Sequence, residues 1–273
     1  MTGPEQSRVP FVAASPQGMV VAGGLPAHVV YVLRLGDDNL VMAQRLGEWI
    51  SRGPDLEEDI ALANVALDHL GQARALLAHA GALEGMGRTE DDLAMGRAER
   101  DVHNLLLVEQ PNGDFAHTVA RALFLDAYQV ELWRVLSGSG DATLGGIAAK
   151  ALKEARYHLR HSSAWAVRLG DGTALSHARM QAAVDDLWRF TFEPFAADAV
   201  DLAAAASGVG VDPEVLRAPW DARIDAVLTE ATLERPSDPY QRTGGRQGFH
   251  TEHLGHVLTE LQWMQRTFPG LHW

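Results

Sequence analysis

Residues 148–170 read AAKALKEARYHLRHSSAWAVRLG, and the folding of this stretch decides the rest. Leu152, Leu159, Ala166 and Leu169 recur at helical spacing, so it reads as one long helix. Glu154, Tyr157, His158 and His161 stand at offsets of three, four and seven, which gathers them near one face. Four-helix bundles bring ligands to paired iron ions with a glutamate followed three residues later by a histidine. Here the third position is Tyr157, and the histidine comes one residue later. The question is whether this helix carries a metal or descends from one that did.

Upstream, three more helical patterns lead to it. The first starts after Pro26 and runs to about residue 50, with Val29, Val30, Leu33, Leu40, Leu46, Trp49 and Ile50 as its apolar face. Gly36-Asp37-Asp38-Asn39 interrupts that face and is expected to kink it. Asp55, with Glu58 three residues later, opens the second helix as a capping box, and the helix runs to about residue 81. Ile60, Ala63, Leu67, Leu70 and Leu77 form its apolar stripe, with Asn64, Asp68 and Gln72 on the adjacent one. Residues 84–104 are polar, with room for one short surface helix. Asp114 caps the third helix, which reaches about residue 136 and carries Asp126 among Leu123, Tyr128, Leu132 and Trp133. Downstream, helices are expected over 175–195, 214–233 and 251–268. No alternating strand pattern is present. The fold class is all-α: an antiparallel four-helix bundle in the first 170 residues, with additional C-terminal helices packed around it. Residues 1–25, rich in Pro, Gly and Ser, read as a mobile arm, and 26–273 as a single domain.

The net charge of -13 over 273 residues disfavours nucleic acid and anionic membranes as partners. With no Cys there is no disulfide, no thiolate nucleophile and no iron–sulfur ligation. No signal peptide or membrane-length apolar run appears, so a cytoplasmic location is expected.

Several long, irregular segments carry a resemblance. These are LRLGDDNLVMAQRLGEW (33–49), LANVALDHLGQAR (62–74), NLLLVEQPNGDFAHT (104–118), KEARYHLRHS (153–162), LWRFT (187–191) and YQRTGGRQGFHTEHLG (240–255). Together they resemble the PaaC-type C subunits of bacterial phenylacetyl-CoA epoxidases. That resemblance implies a ferritin-like bundle and membership of an O₂-dependent monooxygenase complex of phenylacetate catabolism. It also implies that the di-iron centre sits in a catalytic A-type partner, and that flavin and iron–sulfur groups sit in a separate reductase. This chain is then a non-catalytic partner, inactive alone, with a homodimer as a further possible assembly.

The residues agree with a site that has lost its metal. Asp68 and Glu154 stand where the glutamates of a di-iron pattern belong, but Gly71 and Tyr157 occupy the histidine positions. Asp126 is a lone carboxylate on the third helix, and Asp38 a weak counterpart on the first. The expectation is a polar relic of Asp68, Gln72, Asp126, Glu154, Tyr157 and His158, with no catalytic residue and no metal or cofactor in this chain. Lys150 and Arg74 are the cations expected beside its carboxylates. A di-iron oxygenase or a metal-binding ferritin relative, using His158 in a non-standard site, is the alternative. His250, His253 and His256, spaced by three, suggest zinc, but the run is not H-E-x-x-H and is read as capping or solvent-facing. Residues 243–248, TGGRQG, are read as a tight loop rather than a phosphate cradle, since no strand precedes them.

Overall fold

The computed structural model describes residues 24–237 and 240–271, so residues 1–23 of the expected arm lie outside the described part. The described residues form helices and connecting turns, with no β-sheet among them. Four long helices make the bundle: α1 (Ala27–Gly47), α2 (Leu56–Glu84), α5 (Phe115–Leu136) and α6 (Ala142–Gly170). Between the two halves lie the short α3 (Glu90–Met95) and α4 (Leu106–Glu109). α7 (Ala174–Trp188), α8 (Ala199–Ala206), α9 (Arg217–Glu230) and α10 (Glu252–Thr267) pack around the outside.

The helix starts follow their caps. Asp55, Asp114 and Asp141 each accept backbone N–H groups from the first turn, satisfying donors that have no partner within the helix. The reciprocal half of the expected capping box does not form at Asp55. Glu58 instead accepts from His161 Nε2 at 2.8 Å, which ties α2 to α6. α1 pairs with α2 and α5 with α6, each as an antiparallel hairpin, and α2 meets α6.

Three expectations are corrected. α1 is not interrupted at residues 36–39 and runs as one helix. Gly36 is there for close packing, since a Cβ would approach Leu77 Cδ2 at 2.8 Å. The fifth helix stops at Trp188 rather than near residue 195, because Pro194 lacks an N–H and Glu193 turns inward to other partners. On α2 the buried stripe is Leu62, Val65, His69, Gln72, Ala73 and Leu76, while Ile60 (54% exposed) and Leu67 (62% exposed) face outward. The core is filled by aliphatic side chains of all four bundle helices. Trp133, Trp188 and Trp220 are fully buried, and Trp220 donates its indole N–H to Phe124 O at 3.0 Å. None of the described helices is long and apolar enough to cross a membrane.

Candidate functional site

At mid-height the bundle interior turns polar. Asn39 of α1, His69 and Gln72 of α2, Asp126 and Gln129 of α5, and His158 and Ser162 of α6 are all buried there. His69 Nδ1–H donates to Asn39 Oδ1 at 2.8 Å, and Gln129 Nε2 donates to the same oxygen at 3.2 Å. The amide of Asn39 is oriented by its own Nδ2, which donates to Leu35 O at 2.8 Å. Ser162 Oγ donates to Asp126 Oδ2 at 2.7 Å. His158 Nε2–H donates to Asp68 Oδ2 at 3.0 Å. The rings of His69 and His158 lie 5.2 Å apart.

The opposite atoms of these groups have no partner. His69 Nε2, Asp126 Oδ1, His158 Nδ1, Gln129 Oε1 and Gln72 Oε1 are buried without a hydrogen bond. Such orphans are uncommon in folded proteins, because desolvation of each costs free energy that nothing returns. The electrostatics bear the mark. Burial, reinforced by nearby His158, holds His69 well below the ordinary histidine range, so the ring is neutral. Burial pushes Asp126 up to about 6, against the pull of His158 and of the Ser162 hydroxyl. One donor atom from each of His69, Asp126 and His158 lies within 4.8 Å of the other two.

The residues expected at the site divide between this interior and its rim. Asp126, Gln72 and His158 are interior. Asp68, with its side chain 39% exposed, lies at the rim and reaches in only through His158. Glu154 is also at the rim, accepting from Gln72 Nε2 at 2.9 Å and pairing with Lys150 at 3.3 Å. Tyr157 is 49% exposed and stands outside the cluster. Arg74 pairs with Glu90, not with either carboxylate. Asp38 faces away from the bundle interior, toward Arg246. The sequence reading missed His69, Asn39, Gln129 and Ser162 as members.

The inward register is one residue from the expected one. On α2 it runs His69-x-x-Gln72, and on α6 Ala155-x-x-His158. A di-iron bundle needs a carboxylate from each of two helices and Glu-x-x-His from each of the other two. Here Asn39, His69 and Ala155 occupy inward positions, and Asp126 is the one carboxylate among the buried side chains of the cluster. These residues do not fit an iron pair, whose charge needs several hard anionic oxygens.

A second polar system lies between α1 and the C-terminal segment. Arg246 makes a two-pronged pair with Asp38 at 2.8 and 3.0 Å. Burial opposes the charge on Arg246, but Asp38 holds it firmly protonated. Asp37 pairs with Arg97 and also accepts the His103 N–H at 2.8 Å. Arg34 binds Asp198 and Asp201. Glu193 accepts N–H groups from Gly244 and Gly245 at 2.8 Å each and from Leu106 at 2.6 Å. The glycine loop therefore spends its N–H groups on the protein's own carboxylate. Gly245 is obligatory there, because a Cβ would meet Asn104 O at 2.1 Å. His250 is not solvent-facing. Its Nδ1 lies 2.8 Å from Glu109 Oε2 and its Nε2 2.8 Å from Val102 O. Burial opposes its charge, yet the bond and charge of Glu109 raise its pKa above the ordinary value.

Two antiparallel helical hairpins enclosing a polar centre make this a ferritin-like bundle. The chain belongs to the phenylacetic acid catabolic protein family, whose profile matches residues 15–273. It is 55% identical over 243 residues to the C subunit of 1,2-phenylacetyl-CoA epoxidase from Escherichia coli (strain K12), covering 89% of this chain and 98% of that protein.

Proposed function

We propose that this chain is the non-catalytic structural subunit of a phenylacetyl-CoA epoxidase complex, supporting a di-iron catalytic subunit of the A type. The observation that carries the reading is the interior donor set, in which a single buried carboxylate stands where an iron pair would need several. The oxygen chemistry then belongs to the partner, with electrons supplied by a flavin and iron–sulfur reductase.

The outward face of α2 supplies a reason for partnership. Leu56, Ile60, Leu67 and Leu70 are exposed on it at spacings of four, seven and three, a continuous apolar stripe. Apolar stripes of this length on a helix mark interaction surfaces. A partner that binds only the folded bundle stabilises it by mass action, and is stabilised in return.

The test is reconstitution. The chain alone, given reductase and O₂, should not oxidise phenylacetyl-CoA, and adding the catalytic subunit should restore turnover. Ile60→Asp with Leu67→Asp should abolish co-elution with that subunit while leaving the helical circular dichroism unchanged. Asp68→Asn with Glu154→Gln should leave both complex and turnover intact. Loss of turnover by that pair, in a complex that still assembles with full iron in the catalytic subunit and with the stability of this chain unchanged, would place this chain in the chemistry and end the structural reading.

A further inference from the structure

We propose that His69, Asp126 and His158 bind one divalent transition-metal ion, as a three-residue site joining α2, α5 and α6 whose fourth position is left to solvent. This departs from the sequence-based expectation of no metal, and it is a different site from an iron pair.

The hydrogen-bond pattern carries the inference. Asp68 is a carboxylate and only accepts, so the 3.0 Å contact places a proton on His158 Nε2 and leaves a lone pair on Nδ1. Asn39 presents its carbonyl oxygen to His69, because its nitrogen is committed to Leu35 O, so the proton sits on Nδ1 and the lone pair on Nε2. Ser162 holds Asp126 by Oδ2, and Oδ1 is left with its lone pairs. Each residue is thus held by one polar atom, while its other polar atom is buried with no donor to meet it. Three clustered acceptors with no donor call for a cation. Metal-binding histidines ordinarily show this arrangement, with the second ring nitrogen donating to a carboxylate or carbonyl that fixes the tautomer.

Two imidazole nitrogens and one carboxylate oxygen suit a borderline divalent ion such as Zn²⁺ or Fe²⁺ rather than Mg²⁺ or Ca²⁺. Metal–ligand bonds of about 2.0–2.1 Å put tetrahedral donors roughly 3.4 Å apart. Donor atoms within 4.8 Å of one another must therefore close by at most about 1.4 Å, a rotamer adjustment rather than a helix movement.

The experiment uses the untagged full-length chain, treated with chelator and titrated with Co²⁺ as a spectroscopic probe, then with Zn²⁺ and anaerobic Fe²⁺. One equivalent should bind, with visible Co²⁺ absorption that one equivalent of Zn²⁺ bleaches, and with a rise in Tm. Asp126→Asn and His69→Gln, near-isosteric changes checked by circular dichroism, should each weaken binding more than 100-fold. Asp68→Asn, which only frees the far nitrogen of His158, should weaken it about 10–100-fold. His253→Ala with His256→Ala should change nothing. Absence of saturable binding to the wild-type chain overturns the proposal without recourse to any variant. So does binding that survives both Asp126→Asn and His69→Gln, or that is lost with His253 and His256. Two equivalents per chain with magnetic coupling would also overturn it, in favour of a paired site.

Discussion

Asp38 and Asn39 are neighbours on one helix, yet they serve opposite kinds of polar region. Asp38 looks out of the bundle to Arg246 and the Leu105 N–H, in a charge-paired network. Asn39 looks into the bundle, at a cluster where five buried side-chain atoms have no partner. In the first region charges meet opposite charges or backbone N–H groups, and the outcome is a fixed seat for the C-terminal segment. In the second, the polar atoms are held in place but not satisfied. Paired charges are what a structural clasp requires, even with Arg34 Nε and His103 Nδ1 left over, whereas clustered acceptors without a donor are what a ligand requires.

The contrast can be broken most forcefully at the clasp. Arg246→Ala should destabilise by about 3–5 kcal/mol, because Asp38 then remains buried without a counter-charge. Urea unfolding would show it, and a loss below about 1 kcal/mol would mean that water reaches Asp38.

The cluster should respond to pH instead. The pKa of Asp126 is raised in the fold to about 6, so the folded state binds more protons than the unfolded one between roughly pH 4 and 6. In chelator-treated protein its contribution is therefore fully present below pH 4 and is lost as pH rises through 6, a change on the order of 3 kcal/mol. Asp126→Asn should flatten that part of the stability profile, and an unaltered profile would show that Asp126 is not the titrating group.

Glu193→Gln should cost roughly 1.5–3 kcal/mol, since three backbone N–H groups lose a charged acceptor. Faster amide exchange at Gly244 and Gly245 would localise the effect. The smallest change is at the rim, where in chelator-treated protein Asp68→Asn with Glu154→Gln should shift stability by less than about 1 kcal/mol, as Asp68 is screened by solvent and Glu154 keeps a neutral hydrogen bond to Gln72.

Local signals carried the fold. Asp55, Asp114 and Asp141 announce their helices by short-range capping, and each does cap in the structure. α8 escaped because AVDLAAAA is too short for periodicity to register. The site was legible only to within one residue. α2 is apolar on two sides, with Ile60, Leu67 and Leu70 on one and Leu62, Val65 and Leu76 on the other, and periodicity cannot say which stripe faces in. Taking the outer stripe as core moved attention from His69 to Asp68. The clasp was illegible for another reason: Arg246 and Asp38 are 208 residues apart, and no local spacing encodes such a pairing. One signal was available. Arg34, Asp37 and Asp38 sit within an otherwise apolar stretch, and buried charges there demand partners from elsewhere.

That separation of 208 residues also sets a schedule for synthesis. At roughly 5–20 residues per second, Arg246 leaves the ribosome about 10–40 s after Asp38 has emerged. Arg97 arrives early enough to neutralise Asp37, but Asp38 waits for nearly the whole chain. α1 is the most deeply embedded of the bundle helices, and its pairing with Arg246 joins it to a segment made near the end of translation. A nascent chain stalled before residue 246 leaves Asp38 with the Leu105 N–H as a partner but without its guanidinium.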